Sequence, residues 1–225
     1  NITILPQPGL LADMASKGFL VPLGDEQRDF VLENHAAGES FVSLGTYADE
    51  SGTDQFFAIP YKSDLKSLVW YSPDNFADNG YEVPESFEDL QALTETMVAD
   101  GNTPWCIGLG SGGATGWPAT DWVEDLMLRL HAPEVYDQWV SNELPFNDPK
   151  VVEALELFGW FAKDDAKVAG GTAAVATTDF RESPLGLFTV PAECFMHHQA
   201  SFIPTFFGEG VELGVDADFF YFPAF

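Results

Sequence analysis

Between Pro84 and Leu130 the chain spells out a capped helix, a strand, a glycine-rich loop and a second helix, in that order. Ser86-x-x-Asp89 is a capping box, in which each residue satisfies a backbone amide of the other's end of the first turn. Phe87, Leu90, Leu93, Met97 and Val98 then form an apolar stripe at helical spacing, and Gly101 ends it. Trp105 to Leu109 reads as a strand and Gly110 to Gly116 as a loop. Thr120 to Leu130 reads as a helix burying Trp122, Leu126, Met127 and Leu130. A strand flanked by helices with apolar faces must be covered by them, which restricts the chain to an α/β arrangement.

The rest of the chain keeps that rhythm. Asn1 to Leu5 alternates as a strand does and runs into Pro-Gln-Pro-Gly; Leu10, Leu11, Met14 and Ala15 follow helical spacing up to Lys17-Gly18. A polar helix is expected near Asp25 to Asn34. Phe41 to Tyr47 and Gln55 to Tyr61 are expected to form a hairpin around an exposed tip. Leu65 to Tyr71 is a further strand, and Ser72-Pro73 opens a brief helix closed by Gly80. A helix follows Pro133. A longer one opens at Asp148-Pro149 and carries Val151, Val152, Leu155, Phe158 and Phe161 until Gly170-Gly171 breaks the pattern. Glu193 to His198 and Asp218 to Phe222 read as strands, with a short aromatic helix at Ala200 to Phe207.

Composition narrows the function classes. With 46% hydrophobic and 20% charged residues and 20 phenylalanines, the chain is of the packed globular kind. The formal net charge of −27 repels polyanions, so nucleic acid and anionic membranes are poor partners. No run of about 18 apolar residues is present to span a bilayer. The first residues carry no initiator Met, basic leader or cleavage site, so any targeting signal is removed or lies outside this chain. Cys106 and Cys194 have no CxxC or matching His spacing, which leaves one disulfide or two buried thiols.

Chemical motifs are sparse. Gly108-Leu109-Gly110-Ser111-Gly112-Gly113 fits G-x-G-x-x-G after a strand, but no helix opens at the third glycine because Trp117-Pro118 intervenes, and no acid ends a strand about 20 residues later. His197-His198 on a strand would point to opposite faces, which argues against shared metal ligation. There is no GxSxG and no His-Glu-x-x-His. What remains is a concentration of aromatic and amide residues at strand ends and loops: Gln7, Trp70, Tyr71, Trp105, Trp117, Trp122, Gln199 and Phe202. Most such residues are core in any protein, yet flat rings beside polar groups also suit the apolar face and the hydroxyls of a sugar.

Several segments carry a resemblance to a known family. They are Ile4-Leu5-Pro6-Gln7-Pro8-Gly9, Ala58-Ile59-Pro60-Tyr61-Lys62, Lys66-Ser67-Leu68-Val69-Trp70-Tyr71-Ser72 and Gly80 to Leu90. In this order they resemble the extracellular solute-binding proteins of ABC transporters, in the maltose-binding-like, family 1 carbohydrate group. Thr103 to Gly108, Thr115-Gly116-Trp117-Pro118-Ala119-Thr120-Asp121-Trp122 and His198-Gln199-Ala200-Ser201-Phe202 resemble its alpha-glucoside-binding branch.

The resemblance implies an α/β, periplasmic-binding-protein-like fold of type II with two lobes, the first incomplete. Residues 1–70 would form a partial first lobe with a hinge strand, 71–217 the second lobe and 218–225 a returning hinge strand. It implies a periplasmic or extracellular importer component without a cofactor or bond chemistry of its own, which captures an alpha-glucoside or gluco-oligosaccharide between lobes and delivers it to a permease. Gln7, Lys62 and Asp64 would supply polar groups from the first lobe. Trp117, His198, Gln199 and Phe202 would supply a sugar platform and hydrogen bonds from the second. The same resemblance puts Cys106 and Cys194 on neighbouring strands, within reach of a disulfide. It also implies that the chain is an internal portion of a longer one, less stable than its parent and inclined to associate through unpaired edges. The rival readings are a small acidic carbohydrate-processing enzyme of glycosidase type, whose cleft carboxylates would turn over disaccharides, and an adhesion domain without a cleft.

Overall fold

The computed structural model describes residues 2–225, and they divide into two units, one ending at Ser63 and the other running from Asp64 to Phe225. In the first, α1 (Pro8–Ser16) starts after the extended Gln7 with proline where a missing N–H costs nothing. Leu11 and Ala15, four residues apart, bury its inner face with Phe57, while Leu5, Leu20, Tyr47 and Ala58 pack around them. Gly18 closes the helix at φ +69°, a conformation open to glycine at no steric cost. In α2 (Asp25–Asn34) the Gly24 amide donates to Gln27 Oε1, and Asp25 and Glu26 lie in the first turn, where the helix dipole favours them. After α3 (Gly38–Leu44), strands β1 (Thr46–Ala48) and β2 (Asp54–Phe56) pair antiparallel, Tyr47 opposite Gln55. Their turn is tied by Asp49 Oδ1, which accepts from the Ser51 hydroxyl and from the amides of Ser51 and Thr53.

Two expectations fail here. Residues Phe41 to Leu44 are helical, so only the last part of the expected first strand exists. A short apolar run has no period long enough to separate a strand from a helix end. Of the strand expected over Asn1 to Leu5, Asn1 lies outside the described residues and residues 2–5 are irregular; alternation makes a strand only where a neighbour supplies the ladder.

The second unit is built on a three-stranded antiparallel sheet with β3 (Leu68–Tyr71) in the middle. β4 (Met196–His198) and β5 (Asp218–Tyr221) flank it, with Trp70 opposite both His197 and Phe219. Trp105 extends the sheet past β4 through parallel bridges to Met196 and Val168. The expected strand Trp105 to Leu109 thus contributes isolated bridges, since Gly108 and Gly110 press against the backbone of residues 177–179 and no continuous ladder forms.

Because successive strand side chains point to opposite faces, β3 serves two cores at once. Val69 and Tyr71 enter the larger one, with Trp105, Trp122, Phe161 and Phe222. Leu68 and Trp70 enter the other, with Leu187, Ile203 and the disulfide between Cys106 and Cys194, whose Cα atoms are 5.4 Å apart.

Helices cover the larger core. α4 (Pro73–Asn79) is capped by Ser72, and α5 (Phe87–Ala99) carries the expected box, with Ser86 Oγ accepting from the Asp89 amide and Asp89 Oδ2 from the Ser86 amide. α6 (Trp117–Leu130) buries Trp122, Leu126 and Met127, with Leu130 only half-buried. α7 (Pro133–Val140) precedes α8 (Pro149–Ala162), capped by Asp148. In α8 the stripe is narrower than expected: Val151 and Phe161 are buried, whereas Val152 and Leu155 are exposed, because Ala154 and Ala162 take the inward positions. α9 (Thr172–Val175) follows Gly170-Gly171. At the centre Trp105 is fully buried between Trp122 and Phe161, at ring distances of 5.3 and 5.2 Å. Its indole N–H donates to Thr94 Oγ1, so its polar atom is not orphaned.

Candidate functional site

The glycine-rich loop has a structural explanation. A side chain at Gly110 would press on the carbonyls of Thr177 and Thr178, and one at Gly108 on Thr178 and Ser183. Gly110 and Phe180 complete the contact through N–H donations to Thr178 and Gly110 carbonyls. Gly108 and Gly110, the first two glycines of the pattern that resembled a dinucleotide fingerprint, therefore allow one backbone to approach another, whereas a side chain at Gly113 would meet nothing within 4 Å.

The loop ends at Gly116, whose φ of +106° turns the chain into α6 and leaves Trp117 half-buried at the helix start. Around Trp117 the fold gathers rings from two other segments. Phe180 lies edge-on at 5.0 Å and Phe202 tilted at 5.9 Å, with Phe206 5.6 Å from Phe180. These half-buried phenylalanines rest on the disulfide core, which gives the patch a rigid floor.

Charge borders the patch. Lys66, just before β3, places Nζ 5.5 Å from the centre of the Trp117 ring, a cation–π arrangement, and 2.5 Å from Asp121 Oδ2 on α6. Half-buried Glu124 has its carboxyl pushed up, first by burial and then by Asp121, with Lys66 opposing. On the other side Arg181 Nε and Nη2 donate to the two carboxylate oxygens of Asp179, which bring the Asp179 carboxyl down to about 2.

Of the residues singled out from the sequence, Trp117 and Phe202 are brought together in this patch. Asp64 is half-buried, within 3.4 Å of the Ser201 hydroxyl beside Phe202. His198 and Gln199 are interior. His198 Nε2 donates to Asp125 Oδ2 at 3.0 Å and its ring packs 4.3 Å from Trp122, while Gln199 Oε1 accepts from the Ala200 amide. Gln7 and Lys62, in the first unit, are exposed. His197 donates through Nδ1 to the Cys106 carbonyl, on the opposite face from His198. Among the described residues no group of three His, Cys, Asp or Glu could hold a metal ion, and no helix is long and apolar enough to cross a membrane.

Lys66, Asp121, Phe180 and Phe206 were not singled out from the sequence. Asp121 follows Trp117 by four residues on α6 and so shares its face, but the helix expected from the sequence starts only at Thr120 and leaves Trp117 outside it. The two phenylalanines come from segments with no regular period, and nothing local marks them.

Comparison with known proteins agrees with this architecture. A chain 64% identical over all 225 residues is the Alpha-glucosides-binding periplasmic protein AglE of Rhizobium meliloti (strain 1021), of which this chain covers 49%. The Osmoprotective compounds-binding protein GgtB of Synechocystis sp. (strain ATCC 27184 / PCC 6803 / Kazusa) is 42% identical over 213 residues, 94% of this chain and 49% of that one. The chain thus spans about half the length of these curated relatives. Among solved structures, the bacterial solute receptor AcbH superposes with a TM-score of 0.66 at 24% identity, covering 96% of this chain and 49% of that one. The likeness is one of fold and agrees with the α/β, periplasmic-binding-protein-like class of type II expected from the sequence. These relatives lend no support to a glycosidase. Residues 2–192 match the model of the Bacterial extracellular solute-binding protein family, and the chain belongs to that family.

Proposed function

We propose that the protein carrying this chain is the sugar-capturing component of an ABC importer, acting in the periplasm or outside the cell on a neutral alpha-glucoside or gluco-oligosaccharide and passing it unchanged to a membrane permease. In this reading residues 1–70 and 218–225 belong with the first lobe of the whole protein and residues 71–217 with the second. The observation that carries it is the 64% identity, over the whole chain, to a protein named for binding alpha-glucosides. The patch of Trp117, Phe180 and Phe202 supports it, because flat rings cover the apolar face of a pyranose while neighbouring charged groups take its hydroxyls. Asp64, Gln7 and Lys62 are proposed as further hydroxyl partners. His198 and Gln199, being interior, are proposed to act from behind the surface, His198 through Asp125 and Gln199 through the Ala200 turn beneath Phe202. A ligand that binds the closed state more tightly than the open one shifts the population toward closure.

The test is a titration of the full-length protein with a panel of alpha-glucosides, followed by tryptophan fluorescence and by analysis of the sugar afterwards. Saturable change with the sugar recovered intact is expected; released monosaccharide, or no response to any glucoside, overturns the reading. Trp117→Ala weakens binding by about 1–4 kcal/mol, the range for truncating an aromatic anchor. Unchanged affinity with a large fall in melting temperature would make Trp117 a packing residue.

A further inference from the structure

Trp117, Asp121 and Asp125 stand at i, i+4 and i+8 on α6 and form one stripe. The segment leading into β3 runs along it. Lys66 binds Asp121 and lies over Trp117, and one residue later the Ser67 hydroxyl donates to Asp125 Oδ1 at 2.7 Å. From the other side the Leu65 amide donates to Ser201 Oγ at 3.0 Å, and the Ser201 amide returns a bond to the Leu65 carbonyl at 2.9 Å, immediately before Phe202. The segment is therefore held between α6 and the 200–202 turn.

Ser67 has φ +63°, in the left-handed region that a residue with a side chain rarely occupies. Two bonds hold it there: its hydroxyl donates to Asp125, and its carbonyl accepts from the Phe222 amide at 2.8 Å. The acceptor is itself fixed: Asp125 is buried, with His198 Nε2 at 3.0 Å on one oxygen and Arg129 Nε at 3.3 Å from the other. With the Ser67 hydroxyl donating to one oxygen and His198 Nε2 to the other, the buried carboxylate admits little variation in geometry. Its position transmits directly to the adjacent residue, Lys66.

We propose that Lys66 and Asp121 form a donor–acceptor pair at the edge of the Trp117 ring that takes two hydroxyls of a neutral polyol, and that Ser67, Asp125 and His198 are positioning residues that fix where the pair stands. The inference rests on the sugar-binding reading and adds the groups that set its charge selectivity. An ammonium only donates and a carboxylate only accepts, so the two together match a vicinal diol, whose hydroxyls do both. The pair is accessible, with the Lys66 side chain 52% and Asp121 15% exposed. Since Asp121 neutralises Lys66 and Glu124 adds negative charge alongside, an anionic sugar finds no uncompensated cation there.

The experiment measures affinity of the full-length protein and its variants for a neutral alpha-glucosidic disaccharide and for the same disaccharide carrying a phosphate. Lys66→Met and Asp121→Asn each weaken the neutral ligand about tenfold to hundredfold, the loss of a charge-assisted hydrogen bond, at unchanged melting temperature. Asp121→Asn also shifts the neutral-to-anionic affinity ratio toward the anion by about tenfold, because it leaves Lys66 uncompensated. Ser67→Gly keeps the backbone conformation but removes the hydroxyl, and it shifts the same ratio by about threefold; a merely structural role would lower both affinities together. Wild-type protein that binds the neutral sugar while Lys66→Met and Asp121→Asn bind as wild type overturns this inference alone. Wild-type protein that binds no glucoside overturns the sugar-binding reading and this inference with it.

Discussion

In residues 1–63 the main core cluster is Leu11, Ala15 and Phe57, whereas from Asp64 onward it grows to two clusters on opposite faces of one sheet, centred on Trp105 and on the Cys106–Cys194 bridge. The earlier stretch leaves Ile2, Ile4, Phe19, Val21 and Tyr61 exposed and relies on local devices such as the Asp49 turn and the Gly24–Gln27 contact. The later stretch holds all six tryptophans and both cysteines. Buried fraction rises with the size of the folding unit, so a stretch of this length gains less per residue from burial than the longer one. Rigid aromatic floors are built where burial is deep. The candidate platform around Trp117 accordingly stands in the second unit, over the disulfide.

The largest effect that would sharpen the contrast is Trp105→Ala, expected to destabilise the second unit by about 3–5 kcal/mol, since the cavity it leaves is walled by Trp122 and Phe161. Urea unfolding followed by tryptophan fluorescence reads this unit selectively. Leu11→Ala should leave that transition nearly in place and instead speed amide exchange in α1; an equal shift from both variants would break the comparison. Next comes the Cys106→Ser, Cys194→Ser double variant. Opening a link that spans 88 residues should cost about 2–5 kcal/mol in the second unit. Two free sulfhydryls in the denatured, unreduced wild-type protein would remove this prediction.

Acid should also act on the second unit through His197. Burial pushes its imidazole from the ordinary 6.5 down to about 4, with His198 adding to the shift and the bond to the Cys106 carbonyl opposing it. The unfolded chain therefore takes the proton first. Stability from this group is complete above pH 6.5 and is lost as pH falls toward 4, by about 3 kcal/mol in all. His197→Asn, which can still donate to that carbonyl, should flatten this part of the stability profile relative to wild type; superimposable profiles would show that His197 does not contribute. The smallest effect is in the first unit. Asp13→Asn removes an exposed pair with Lys17 and should change stability by no more than about 0.5 kcal/mol, as judged by thermal melting in low and high salt.

Helix starts were legible because their causes are local. Ser86 and Asp89, Asp148 before Pro149, and Ser72 before Pro73 each supply a cap within four residues of the groups they satisfy. Trp117 was legible as a ring set by a glycine before it and a proline after it, and its ring lies 5.9 Å from that of Phe202. His198 and Gln199 look like surface polar residues in the sequence. Only the pairing of β4 against β3 and the approach of α6 bury them, and a residue-by-residue reading has no access to either.

The sequence by itself determined the α/β alternation, the capped helices, the acidity that disfavours polyanions and the family, because those follow from neighbours along the chain and from composition. Tertiary structure decided which rings meet at Trp117, which face of β3 carries the disulfide, and that Lys66 pairs with Asp121. Lys66 and Asp121 are 55 residues apart, and Phe180 is 63 residues beyond Trp117. Contacts over such separations depend on strand register and helix packing, and a shift of one residue in register would send each strand side chain to the opposite face.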